Sequence, residues 1–142
     1  MTTSSLRVLF LCTGNSARSQ MAEALLRQMS GGRIDVHSAG TVPRPEIHPT
    51  AHATMREKFG IEMTGQHPKS VDRYSGQHFD YVITVCDHAA ESCPVFPGDA
   101  RRIHWSFDDP AAVTGSVAEQ RRAFERIAGE IQGRLRVWHS SL

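Results

Sequence analysis

The chain has no long apolar run: the longest, Val8 to Cys12, is five residues, against the ~20 that a helix needs to span a bilayer. It is also shorter than the apolar region of a secretory leader, so the sequence points to a cytoplasmic protein with no membrane partner. Neither sign of charge is in surplus, with Lys+Arg 16 against Asp+Glu 15 and a net charge of +1. The two signs are interspersed, which argues against the basic stripe that nucleic-acid binding requires. Cysteine is scarce: there are three, an odd number that fits a disulfide-stapled secreted scaffold poorly. In a reducing compartment such cysteines are catalytic, metal-binding or merely buried. Internal repeats, low-complexity tracts and inter-domain linkers are absent too. The 142 residues therefore read as a single catalytic domain, 1–142, large enough to bury a core.

What is present is an alternation of strand and helix patterns. Leu6–Leu11 and Phe79–Val85 are apolar, β-branched or aromatic, as buried strands are, and Ile34–Ser38 and Arg101–Trp105 alternate more weakly. Met21, Ala22, Leu25, Leu26 and Met29 form a helical stripe stopped by Gly31-Gly32. Pro49 opens and Gly60 closes a second helix carrying Met55 and Phe59. Ser116 and Glu119 have capping-box spacing ahead of a helix with Phe124, Ile127, Ile131, Leu135 and Trp138 on one face. This order predicts an α/β fold, a four-stranded parallel sheet with helices on both faces. Ligands on such sheets bind outside the carboxyl ends of the strands, which is where Cys12, Cys86 and Asp109 all fall.

Residues Cys12 to Ser19 form a tight turn between the first strand and the first helix. Successive backbone amides there can point at one tetrahedral oxyanion, with Gly14 accepting an unusual backbone conformation. The helix starting near Ala17 adds its positive end, and Arg18 can hold two oxygens side by side. The oxyanion-binding set is thus Thr13, Gly14, Asn15, Ser16, Ala17, Arg18 and Ser19, with Ser19 placed to hydrogen-bond the thiolate and Asn15 to brace the loop. The same field should lower the Cys12 pKa and make it an anionic nucleophile. The plainer alternative is a buried cysteine ending a strand beside a solvated arginine. The strand before the turn and the amphipathic helix after it weigh against that.

Cys86 and Cys93 are seven residues apart. On a regular helix their Cα atoms would lie ~10.5 Å apart, beyond the ~7 Å that a disulfide permits, so bridging them requires the segment to unwind. Two other readings stay open for these residues: inert core cysteines, or a metal site shared with His88. The latter lacks the closer ligand spacing and the fourth ligand that zinc prefers, and no metal is expected. His48 and His52 likewise have no third ligand and suit an exposed helix start. Asp108 and Asp109, before Pro110, have the composition of an ordinary turn.

The run Cys12-Thr13-Gly14-Asn15-Ser16-Ala17-Arg18-Ser19-Gln20-Met21-Ala22-Glu23-Ala24 resembles the N-terminal loop of the low-molecular-weight protein tyrosine phosphatase superfamily. Its wording is most similar to the thioredoxin-coupled arsenate reductases within it. His37-Ser38-Ala39-Gly40, the Cys86/Cys93 pair with Pro94, and His104-Trp105-Ser106-Phe107-Asp108-Asp109-Pro110 extend the resemblance over essentially the whole chain. It implies a flavodoxin-like sheet, with Cys12 as nucleophile and Asp109 as general acid on a proline-stiffened loop. It further implies a relay in which Cys12 attacks arsenate, Cys86 attacks Cys12, and Cys93 attacks Cys86. The resulting Cys86–Cys93 disulfide would be reduced by thioredoxin or a similar thiol reductant, with no tightly bound cofactor. Such relatives also hold a potassium ion near the loop. Asn15, Glu23 and Ser38 match that site, but Ser70 stands where an aspartate is expected, which argues against potassium dependence here.

The cradle and acid suit a second reaction, hydrolysis of phosphomonoesters through a Cys12 phosphocysteine, because arsenate and phosphate share shape and charge. Two features favour the reductase: Ala111-Ala112 follow Pro110 where tyrosine-specific relatives place aromatics, and those phosphatases lack the distal cysteine pair. Weak phosphatase activity is expected in either case. A non-catalytic anion binder or redox sensor would need neither a nucleophile nor an acid.

Overall fold

The computed structural model describes residues 6–87, 96 and 98–142. Cys93, His88, Pro94 and the rest of the Cys86–Cys93 segment beyond Asp87 lie outside the described residues. The chain is an α/β fold built on a parallel sheet of four strands, β1 (Arg7–Cys12), β2 (Asp35–Gly40), β3 (Tyr81–Thr84) and β4 (Arg101–His104), in the order β2-β1-β3-β4. Each strand falls within two residues of its sequence-based bounds, β3 being shorter at both ends. Just before β3, the Asp80 carboxylate accepts the Arg7 backbone N–H at 2.8 Å.

Successive strand residues point to opposite faces, and Val8, Leu9, Phe10 and Leu11 are all fully buried. Both faces of β1 are therefore covered, as an uninterrupted apolar run in a parallel sheet demands. The chain leaves β1 to one side for β2 and to the other for β3, so the order switches direction at β1. The Val85 N–H bonds the Leu11 carbonyl at 2.9 Å, and Leu11 pairs with Thr84. Cys12, the last residue of β1, and Cys86, two residues past β3, therefore lie at the same end of the sheet, where a crevice opens.

Helix α1 (Arg18–Met29) packs on β1 and β2, and α3 (Val117–Ser140) packs on both α1 and α2 (Pro49–Phe59). Every residue of α1 from Ser19 to Leu26 is buried, more than the apolar stripe accounts for. Ser19, Gln20 and Glu23 are drawn inside by polar partners rather than by hydrophobicity. Pro49 opens α2, the His48 imidazole accepts the Thr50 N–H at 3.1 Å as its cap, and Gly60 closes it at φ 66°. At the start of α3 the Ser116 hydroxyl accepts the Glu119 N–H at 3.1 Å. The Glu119 carboxylate takes the Ser116 hydroxyl hydrogen, at 3.3 Å, rather than the reciprocal backbone bond of a capping box. Phe124, Ile127, Ile131 and Leu135 are fully buried along one face of α3, as their spacing predicts. Trp138 follows, packed edge-on against Tyr81 and Trp105. Among the described residues no helix is long and apolar enough to cross a membrane.

Candidate active site

The loop between β1 and α1 is shaped by where its carbonyls go. Those of Cys12, Thr13, Gly14 and Ser16 accept the N–H groups of Thr41, Val42, Arg44 and His48 at 3.2, 2.9, 2.9 and 2.9 Å. The Asn15 carbonyl accepts Gln20 Nε2 at 3.0 Å, and that of Ala17 accepts the Met21 N–H at 2.9 Å. In a trans peptide the N–H points opposite to the C=O, and none of these bonds is cis. Tying the carbonyls outward turns the amides of the same planes to the other side, which is how a chain makes an anion-binding concavity. Helix α1 adds to this: its N-cap, Ala17, supplies no side-chain cap, so the amides of the first turn remain available to an anion.

The left-handed residue in the loop is Asn15, at φ 50°, not Gly14 as the sequence suggested. Asparagine tolerates this conformation, and Asn15 is held in it on all sides. Its Nδ2 donates to Ser19 Oγ at 2.8 Å and Ser38 Oγ at 3.0 Å. Its Oδ1 accepts Gln20 Nε2 at 3.0 Å and the Lys69 N–H at 2.9 Å. Gly14 serves a different need, since a Cβ there would lie 3.2 Å from the Arg44 side chain. Gly40, paired with Cys12 in the sheet, is required more strictly: a Cβ would stand 2.5 Å from the Thr13 carbonyl.

The cavity beyond the loop, about 480 Å³, is lined by Cys12, Arg18, Arg44, Asp109 and Ala111 together with the loop itself. Arg18 donates through Nη1 to the Phe107 carbonyl at 2.9 Å, and its Nη2 lies 3.8 Å from Asp109 Oδ2. Among the described residues its Nε is buried without a partner. An orphaned buried donor on a guanidinium is costly in a native structure and suits a site that awaits an anion. Asp109 Oδ1 caps the turn at Pro110–Ala112 by accepting the Ala111 N–H at 3.0 Å. Asp108 faces away to Arg126, at 3.5 Å.

Cys12 and Cys86 are both buried, and Thr13 Oγ1 lies 3.4 Å from Cys86 Sγ. The neighbouring Cys86 thiol and burial together push Cys12 well above the ordinary thiol value. The Ser19 hydroxyl and the Arg18 charge act the other way but do not prevail. The expectation of a lowered Cys12 pKa is thus reversed. The cradle was visible in the sequence, whereas the second sulfur set against it depends on two strands being adjacent. Asp87, next to Cys86, accepts His104 Nε2 at 2.8 Å and Ser106 Oγ at 3.3 Å, which hold its carboxyl below the usual carboxylate range.

Behind the loop, Glu23 Oε1 accepts Ser38 Oγ at 2.5 Å, and Oε2 accepts Arg27 Nη2 at 2.6 Å. Lys69 Nζ lies 3.9 Å from Glu23 Oε1. With Ser38 donating to the carboxylate, its oxygen receives one Asn15 N–H. The other Asn15 N–H goes to Ser19, leaving the Ser19 hydroxyl hydrogen free to point at Cys12. A potassium ion at this place would need oxygen ligands, but the Asn15 oxygen and both Glu23 oxygens already have partners. Ser70 Oγ is turned to the Asp72 N–H at 3.2 Å. Glu23 already has the positive charges of Arg27 and Lys69 beside it.

The sequence reading missed Gln20, Arg44, Lys69 and the 41–48 loop. Gln20 and Gly40 lay inside quoted motifs, but nothing in local patterning marks the others.

Residues 7–142 match the family described as low molecular weight phosphotyrosine protein phosphatase. The chain belongs to that family. It is 40% identical over 131 residues to the arsenate reductase of Halalkalibacterium halodurans, which covers 92% of this chain and 93% of that protein. The thioredoxin-dependent arsenate reductase of Corynebacterium glutamicum superposes with a TM-score of 0.72 at 29% identity, over 100% of this chain and 66% of that one. The low molecular weight protein tyrosine phosphatase of T. tengcongensis superposes with a TM-score of 0.77 at 22% identity, over 97% and 100% of the two chains. This last likeness concerns the fold alone, and it shows that overall shape does not separate the two activities.

Proposed function

We propose that the protein reduces arsenate to arsenite, with Cys12 as nucleophile, Asp109 as general acid, and Cys86 and Cys93 as the relay. The observation that carries this reading is the placement of Cys86 against the cradle, its sulfur 3.4 Å from Thr13 Oγ1 and near enough to Cys12 to raise its pKa. Hydrolysis of an ester needs one sulfur at the oxyanion site; reduction of the bound atom by two electrons needs two.

The chemistry balances without a further cofactor. A hydrogen arsenate dianion in the cradle meets the amides, the bare Arg18 Nε and the Arg44 guanidinium across Gly14. The Cys12 thiol loses its proton toward the leaving oxygen, with Asp109 as carrier. Sulfur bonds arsenic and water departs, leaving a Cys12-bound arsenic(V) with three oxygens. Cys86 sulfur then attacks Cys12 sulfur. The sulfur–arsenic bond breaks with its electron pair going to arsenic, which takes up the Cys86 proton and leaves as arsenite, and a Cys12–Cys86 disulfide remains. Cys93 attacks Cys86, Cys12 departs as thiol, and the Cys86–Cys93 disulfide takes two electrons from thioredoxin or a similar dithiol.

The competing reading is a phosphatase that hydrolyses phosphomonoesters through Cys12. Steady-state assay of arsenate with a thioredoxin system, beside p-nitrophenyl phosphate hydrolysis, separates the two. The reductase reading expects arsenate-dependent consumption of reductant that Cys86→Ser and Cys93→Ser each abolish, with only weak ester hydrolysis. Efficient hydrolysis with no arsenate turnover would assign the chain to the phosphatases.

A further inference from the structure

We propose that Lys69 is a built-in cation that, with Arg27, neutralises Glu23 and sets the oxyanion loop, so that the loop needs no exchangeable monovalent ion. The proposal holds whichever reaction the loop performs. Glu23 is buried, and an isolated buried carboxylate is expensive unless paired and hydrogen-bonded. The pairing here comes from the chain itself. Arg27 takes Oε2 at 2.6 Å, while Lys69 Nζ approaches Oε1 at 3.9 Å and donates to the His67 carbonyl at 2.8 Å.

Lys69 is no incidental neighbour. Its side chain is only 10% exposed, and burial pulls its pKa below the usual lysine value, with the Glu23 charge opposing. Its backbone is clamped as well, the N–H donating to Asn15 Oδ1 at 2.9 Å and the carbonyl accepting the Gly40 N–H at 2.8 Å. One residue therefore touches the carboxylate at the far end of the network and the asparagine at its near end. Each hydrogen bond from Glu23 through Ser38, Asn15 and Ser19 has its direction imposed by the one before. Altering the charge at Glu23 changes how firmly Ser38 donates, and the effect reaches Cys12 through Ser19. Lys69 thus acts as a positioning residue, through others, rather than on substrate.

The test compares wild type with Lys69→Ser and Lys69→Gln in KCl, NaCl and choline chloride at equal ionic strength. Two readouts are needed: the thermal midpoint, and the rate of Cys12 alkylation by iodoacetamide across pH, followed by mass spectrometry. The wild type should give the same values in all three salts. Lys69→Ser should alkylate at a rate changed about threefold or more in choline, and move back toward wild type in potassium. A wild-type midpoint several degrees higher in potassium than in choline would overturn the proposal, even if neither variant folds. So would a Lys69→Ser protein whose alkylation profile matches wild type in every salt.

Discussion

Behind the oxyanion loop, Asn15, Gln20 and Ser38 are fully buried and each is bonded to several partners. At its mouth, Asp109 and Arg44 are exposed, and the Arg18–Asp109 approach is a long 3.8 Å. The same eight-residue turn has one side set by a closed polar network and the other left open. A fully satisfied network resists rearrangement because any broken bond strands a buried group, whereas loosely paired surface charges contribute little to stability. The back should therefore govern whether the cradle exists, and the mouth should govern what it binds and how protons move.

The largest effect is expected at the back. Gly40→Ala forces a methyl group to within 2.5 Å of the Thr13 carbonyl. It should cost about 1–3 kcal/mol in urea unfolding and lower Cys12 reactivity with it. Asn15→Ala strands several buried donors and acceptors at about 1–3 kcal/mol each, so it should unfold at markedly lower denaturant. At the mouth, Asp109→Asn should reduce turnover by about 10²–10⁴-fold while leaving the thermal midpoint nearly unchanged. If Asp109→Asn destabilised the fold as much as Gly40→Ala does, the division between back and mouth would fail.

Cys86→Ala tests the sulfur side of the mouth. It removes the neighbour that does most to raise Cys12, so the alkylation profile of Cys12 should move to lower pH and its rate at neutral pH should rise. An unmoved profile would mean that burial alone holds the thiol. Arg44→Gln should raise KM for the oxyanion several-fold with kcat retained, and change stability by no more than about 0.5 kcal/mol.

The smallest effect concerns His48, whose pKa is lowered chiefly by burial and also by Arg44, against the pull of Asp109. The unfolded chain then binds the extra proton more readily, so stability rises with pH. This contribution is complete above the ordinary histidine value and is lost as pH falls below it. His48→Asn, which can still cap α2, should flatten the dependence of the thermal midpoint between about pH 5 and 7.

Much of this was legible in the sequence, because strand and helix periods, Pro49, Gly60 and Ser116 are local signals with local causes. The site was legible where it is contiguous: Cys12 to Ser19 is one turn. It was misread where it depends on contacts distant in sequence. The raised Cys12 pKa arises in large part from a sulfur just beyond the neighbouring strand, and the left-handed residue is Asn15 because Ser38 and Lys69 hold it there. The burial of Glu23 is intelligible only once Arg27 and Lys69 are beside it. Gly14 looked like a conformational hinge, yet its small size serves the passage of Arg44.

Arsenate reduction by this chain depends on whether Cys86 inherits the Cys12 bond. The direct measurement is peptide mapping by mass spectrometry after a single turnover with arsenate and no reductant. The wild type should contain a Cys86–Cys93 disulfide together with one equivalent of arsenite, and Cys93→Ser should stop at a Cys12–Cys86 disulfide. Three free thiols with no arsenite formed would contradict it.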